Sequence, residues 1–182
     1  PGEAFLIVSG YNCLPDTNQV MFIAAGEPYV IYAESTIDDV NGNDNGQIDF
    51  GESIMLDLSM ENVGEQLADD VNAIITSTSE WVTINDDSEP YGNIDVDETV
   101  MKYQAFAFDV AANIPDQTEI PFQLSANDGN SEWNSEFSLI ANAPLLVSSE
   151  IIIDDSESGD GNGIIDVGET FTINIEVSNQ GH

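Results

Sequence analysis

Basic residues are all but missing from this chain: of 182 residues one is Lys and none is Arg, while 35 are Asp or Glu, for a formal charge of −34. That balance excludes nucleic-acid binding, because counterion release needs Lys and Arg set against phosphates. An anionic membrane leaflet would repel the same surface. Long apolar runs are missing too, so no stretch of about 18 apolar residues can span a bilayer and membrane insertion is not expected. Pro1 to Gly10 carries neither the charged region nor the cleavage site of a secretory leader, and the expectation is an internal or mature segment. Cysteine occurs once, as Cys13, which excludes a disulfide among these residues and leaves the compartment open. Histidine also occurs once, as His182, so a Ser-His-Asp or Cys-His centre would have to join it to something distant. With this many acids a close carboxylate pair of the glycosidase kind arises by chance and carries no signal. No catalytic residue is expected, and the segment is read as not an enzyme.

What is present is a globular composition, 41% apolar, with room for one large or two small domains. A long internal repeat organises it. The segment from Pro28 to Glu65 returns as Pro144 to His182, displaced by 116 residues and then by 117 after one insertion. Ile37, Asp38, Asp39, Gly42, Asn45, Gly46, Ile48, Asp49, Gly51, Glu52, Asn62 and Gly64 recur as Ile153, Asp154, Asp155, Gly159, Asn162, Gly163, Ile165, Asp166, Gly168, Glu169, Asn179 and Gly181. The chain therefore divides into residues 1–27, the closing strands of a preceding β domain; 28–143, one complete module; and 144–182, the opening of a second copy. The linkers, GEP and NAP, are short enough to predict little free hinge.

The complete module has an apolar period of two. Ile54, Leu56, Leu58 and Met60 alternate with polar or exposed neighbours, and the same alternation returns around Val71–Ile75, Phe106–Val110, Ile120–Ala126 and Trp133–Leu139. With Tyr29–Ser35 and Trp81–Ile84 this predicts about seven strands separated by Asn, Asp, Gly and Pro turns, an all-β, immunoglobulin-like β-sandwich in tandem copies. AFLIVSG and QVMFIA near the start predict two further strands.

The repeated loops carry the chemistry. Asn41, Asn43, Asn45, Asp49 and Glu52 occupy positions 1, 3, 5, 9 and 12 of a twelve-residue calcium loop, with Gly46 at position 6 and Ile48 at position 8. The second copy keeps the frame with Ser158, Asp160, Asn162, Asp166 and Glu169, and with Gly163 at the turn. Ca²⁺ takes six to eight hard oxygens at about 2.3–2.6 Å, so a tight turn must aim alternate side chains at one point while a later Glu closes the sphere. Gln47 and Ile164 would add backbone carbonyls, and the pairs Asp38-Asp39 and Asp154-Asp155 extra charge or direct ligands. Because position 1 is Asn41 or Ser158 rather than Asp, one Asp of each preceding pair is expected to take that place through a longer lead-in. Asn, Asp and Gly favour turns without any ion; repetition of the spacing is what points to two calcium sites. Eleven of the 35 acids fall in Asp38–Glu52 and Asp154–Glu169 and would repel one another without a cation. Zinc and softer metals find no His or thiolate here, and magnesium prefers a smaller octahedral shell. The flanking segments have period two, so the helices of an EF-hand are absent and such loops would rigidify rather than open a groove. Following each module's first strand, they are expected near the preceding module's end.

Other acidic clusters, Asp86-Asp87 and Asp95-Val-Asp97-Glu98, read as solvated loops around Tyr91-Gly92. Trp133 reads as core, whereas Trp81 with Tyr91 offers an alternative function, a platform for carbohydrate or adhesion.

The pattern DD followed by G-N-x-x-G-x-I-D-x-G-E, a strand and N-x-G resembles the β-sandwich repeats of large secreted bacterial surface proteins and proteases. FLIVSGYNCLP, followed by a strand and GEPYV, resembles the end of the immunoglobulin-like domain behind the catalytic domain of gingipain-type cysteine peptidases. The resemblance implies an extracellular, multidomain setting, secreted or on the cell surface, in which these modules are non-catalytic and Cys13 is no nucleophile. It implies as partners the neighbouring domains of the same chain and a cell-surface glycan or protein. In that setting, depletion of Arg and Lys removes cleavage points for trypsin-like proteases, an idea that rapid trypsin fragmentation of the calcium-loaded form would overturn. Salt adaptation is the competing account of the charge.

Overall fold

The computed structural model describes residues 2–8, 16–22 and 26–182. Cys13 lies outside them. Every element among the described residues is a strand. The two predicted near the start form an antiparallel hairpin, β1 (Gly2–Val8) and β2 (Asp16–Phe22), with Gly2 opposite Phe22.

The segment 28–143 folds into β3 (Val30–Asp38), β4 (Ile48–Asp49), β5 (Ser53–Asn62), β6 (Ala68–Ser77), β7 (Val82–Asp86), β8 (Ser88–Ile94), β9 (Thr99–Val110), β10 (Thr118–Asn127) and β11 (Glu132–Asn142). They form two sheets, β3-β5-β9-β7 and β4-β11-β10-β6-β8. The alternation in sequence decides which side chains face inward: Ile54, Leu56, Leu58 and Met60 from one sheet, Val71, Ala73, Ile75, Ile120, Phe122 and Leu124 from the other, all fully buried. Phe108 meets Phe122 across the sheets at 5.2 Å, tilted by 49°, and Tyr32 stacks on Phe137 at 4.7 Å. Two sheets sharing one apolar core is the arrangement of a β-sandwich.

Two strands escape the sequence pattern. β4 is too short to show a period; it pairs parallel with the end of β11, Ile48 with Ala141 and Asp49 with Asn142. β8 contains Pro90 and Gly92, which read as a turn, yet it runs along the sheet edge, where a missing N–H costs no ladder bond. Tyr91 pins it down: the side chain is buried and its hydroxyl donates to the Leu58 carbonyl at 2.8 Å. The single Lys102 sits within β9, near Glu89 at 3.9 Å and over the Tyr91 ring.

The second copy contributes β12 (Leu146–Asp154) and β13 (Thr172–Asn179), an antiparallel pair. Phe171, Ile173, Ile175 and Val177, the counterparts of Ile54, Leu56, Leu58 and Met60, are exposed.

Candidate metal centre

The first acidic loop joins β3 to β5. Asp39, the second of the acidic pair, is buried; its Oδ2 accepts the Asn45 N–H at 2.9 Å and its Oδ1 the Gly46 N–H at 3.1 Å. Glu52 closes the loop from the other end, Oε1 accepting the Asn43 N–H and Oε2 the Asp49 N–H, both at 3.1 Å. Between them the Asn43 and Asn45 side-chain amides both donate to Asp49 Oδ2 at 2.8 Å. Gly46 takes φ of 75°, a left-handed value that suits a glycine at the sharp turn. Gly42 lies against the closing residue: a Cβ there would displace the Glu52 carboxylate.

The second loop, between β12 and β13, repeats this framework. Asp155 is 2% exposed and its Oδ1 accepts the Gly163 N–H at 3.3 Å. Glu169 accepts the Asp160 N–H at 3.2 Å and the Asp166 N–H at 3.1 Å. Gly163 again has φ of 75°, and a Cβ at Gly159 would again collide with the closing Glu. One carboxylate oxygen from each of Asp155, Asp160 and Glu169 lies within 4.8 Å of the others. Asp155 Oδ2 is buried and has no hydrogen-bond partner among the described residues.

The structure separates the two members of each acidic pair. Asp39 and Asp155 turn into their loops, whereas Asp38 turns out, accepting from Val40 N–H and from the Gln104 amide at 2.9 Å. Asp154 likewise accepts the Ser156 hydroxyl at 2.6 Å and the Ser156 N–H, contacts that hold its carboxyl below the usual carboxylate range. Asn41 and Ser158, at position 1 of the twelve-residue frame, are exposed and make none of the loop's side-chain hydrogen bonds. The buried carboxylate thus stands two residues ahead of that frame in the first loop and three in the second. Asn162 Oδ1 accepts the Ile164 N–H at 2.6 Å and Asn45 Oδ1 the Gln47 N–H at 2.7 Å, so positions 5 and 7 are linked alike in both copies.

The first loop stands where the segment 28–143 ends, beside Asn142 and His182, rather than at its entry near Tyr29. β3 carries the chain away from its entry before the loop begins, and the loop then docks on the last residue of β11. The Asn142 amide donates to Gln47 Oε1 at 2.6 Å, its Oδ1 accepts from the Gln117 amide at 2.7 Å, and its carbonyl accepts the Phe50 N–H at 3.0 Å. Asn43, Asn45, Asp49, Glu52 and His182 line one open cleft of about 640 Å³. Sequence reasoning missed Asn142, Gln117, Asp116 and His182 here, since none belongs to a repeated motif.

The aromatic platform does not assemble. Tyr91 is core, its hydroxyl pushed up from its ordinary pKa by burial and then by Glu89, and Trp133 is buried as expected. Trp81 is half-buried against the core.

Neither a protein-family model nor a curated protein matches the chain.

Proposed function

We propose that this chain is a non-catalytic spacer of a larger secreted or cell-surface protein, built from tandem immunoglobulin-like modules that Ca²⁺ stiffens at the loop after each first strand. The observation that carries the reading is the Asp155 carboxylate. A buried carboxylate oxygen without a partner is costly, and a cation between Asp155, Asp160 and Glu169 would supply that partner. The donors are hard oxygens, which suit Ca²⁺ or Mg²⁺ rather than a softer metal, and a glycine turn presenting side chains and carbonyls suits the larger, more flexible shell of Ca²⁺. By the repeat, Asp39, Asn43, Asn45, Asp49 and Glu52 with the Gln47 carbonyl would form the equivalent shell in the first copy, and Asp155, Asp160, Asn162, Asp166 and Glu169 with the Ile164 carbonyl the second.

Strand order supports the immunoglobulin-like part. β3-β5-β9-β7 follows the A-B-E-D order, and β11-β10-β6 the G-F-C order, of that fold. One departure is that β7, on the first sheet, precedes β8, on the second. The extracellular, peptidase-associated setting rests on the resemblance alone.

Thermal unfolding in Ca²⁺ against excess chelator, beside calorimetric titration, tests the reading. Two ions per chain are expected, and a site held at a hundredfold excess over Kd adds about 2.7 kcal/mol to stability. Absence of both heat and shift would reduce the loops to acidic turns.

A further inference from the structure

The joint between the two copies is built from both sides. On the first module's side, Asn142 is held by Gln47 and Phe50 of the acidic loop and by Gln117. Beside Gln117, Asp116 reaches across: its Oδ1 accepts the N–H of Ala143 at 3.0 Å, and its Oδ2 lies 3.1 Å from the His182 ring nitrogen. On the second module's side, Asn179 Oδ1 accepts the N–H groups of Leu145 at 2.9 Å and of Gly181 at 3.0 Å, and the Ala143 carbonyl accepts the His182 N–H at 3.2 Å. A Cβ at Gly181 would collide with the backbone of Ala143 and Leu145, so only glycine lets the returning strand close on the linker. The same clamp stands at the first module's entry. Asn62 Oδ1 accepts from Tyr29 and Gly64, the Glu27 carbonyl accepts from Glu65, and a Cβ on Gly64 would meet the Tyr29 backbone.

We infer that the first acidic loop is part of the seat for the following module, so that a cation ordering this loop fixes the orientation of the next copy through Gln47, Asn142 and the clamped linker. The inference rests on the proposed calcium reading for its cation, and on the hydrogen bonds above for its route. Modules that do not share a large apolar interface normally keep some relative motion. Here every residue from Asn142 to Leu145 except Pro144 makes a hydrogen bond to one module or the other.

Spin labels on Asn134→Cys and Asn174→Cys, in a Cys13→Ser background, would read the distance between the modules by pulsed electron resonance, with calcium occupancy measured by calorimetry on the same protein. The expected result is a narrow distribution in saturating Ca²⁺ that broadens about twofold in chelator. Asn142→Ala is the decisive variant, because Asn142 offers nothing to the ion and its side-chain amide is the group that holds Gln47. It should bind both ions and still show the broad distribution. Equal widths with and without Ca²⁺ while two ions bind would overturn the coupling and leave the calcium reading intact, as would an Asn142→Ala distribution as narrow as the parent's. No ion bound at all would overturn both.

Discussion

The two acidic loops share a backbone and differ in how they neutralise themselves. In the first, position 3 is Asn43, and its amide together with that of Asn45 satisfies Asp49 from within. In the second, position 3 is Asp160, which leaves four carboxylates, Asp155, Asp160, Asp166 and Glu169, where the first loop has Asp39, Asp49 and Glu52. The first loop is also stapled to its module by β4 and Asn142. In the second, one buried carboxylate oxygen, Asp155 Oδ2, has no partner among the described residues. The same frame thus carries two internal charge balances, set by Asn43 in the first loop and Asp160 in the second at its third place.

The largest expected effect comes from removing the closing ligand. On the proposed calcium reading, Glu169→Gln should leave one ion per chain by calorimetry, and Glu52→Gln should leave the other, since this Glu bonds two loop N–H groups and would close the sphere. If each variant still bound two ions, the assignment of these glutamates would fail.

A smaller effect sharpens the contrast at position 3. Affinity in such loops rises with the number of charged ligands, so the second site should fill before the first, and Asn43→Asp should tighten the first site about tenfold. In chelator the same variant should be less stable than the parent, because the added carboxylate replaces a donor with a like charge beside Asp49. Stepwise titration heats and paired melting curves check both signs; a variant tighter in Ca²⁺ and no weaker without it would contradict the account.

Much of this was legible before any coordinates. The alternation in β5, β6 and β10 fixes which face is core, and the repeat marks Gly42, Gly46 and Glu52 as special, for reasons the geometry then supplies. Asn62 and Gly64 were visible only as repeated letters; their clamp on Tyr29 and Glu27 needs the fold. The position of the loop is not legible in the sequence, because adjacency along the chain is not adjacency in space. β3 has nine residues, and a strand of that length carries the chain about 30 Å, from the entry of the module to its far end. β8 was hidden by Pro90 and Gly92, residues that an edge tolerates and a pattern reads as a turn.

The smallest effect contrasts the two module entries. At the first, Glu65 accepts the Gly26 N–H at 2.8 Å; at the second, the equivalent place is His182, and the acceptor is Asp116 of the previous module. The Ala143 N–H foremost, and His182 after it, hold the Asp116 carboxyl below the usual carboxylate range. A carboxyl whose folded-state pKa is depressed binds its proton more readily when unfolded. Its contribution to stability is therefore complete above the unfolded value of about 3.9 and is lost as pH falls through the lower folded value. The second entry should loosen in that acid window through Asp116, whereas the first shows no such cross-module carboxylate among the described residues. In Asp116→Asn the acid-induced change in the Ala143 amide resonance should disappear, and an Ala143 titration unchanged by the substitution would detach Asp116 from the joint.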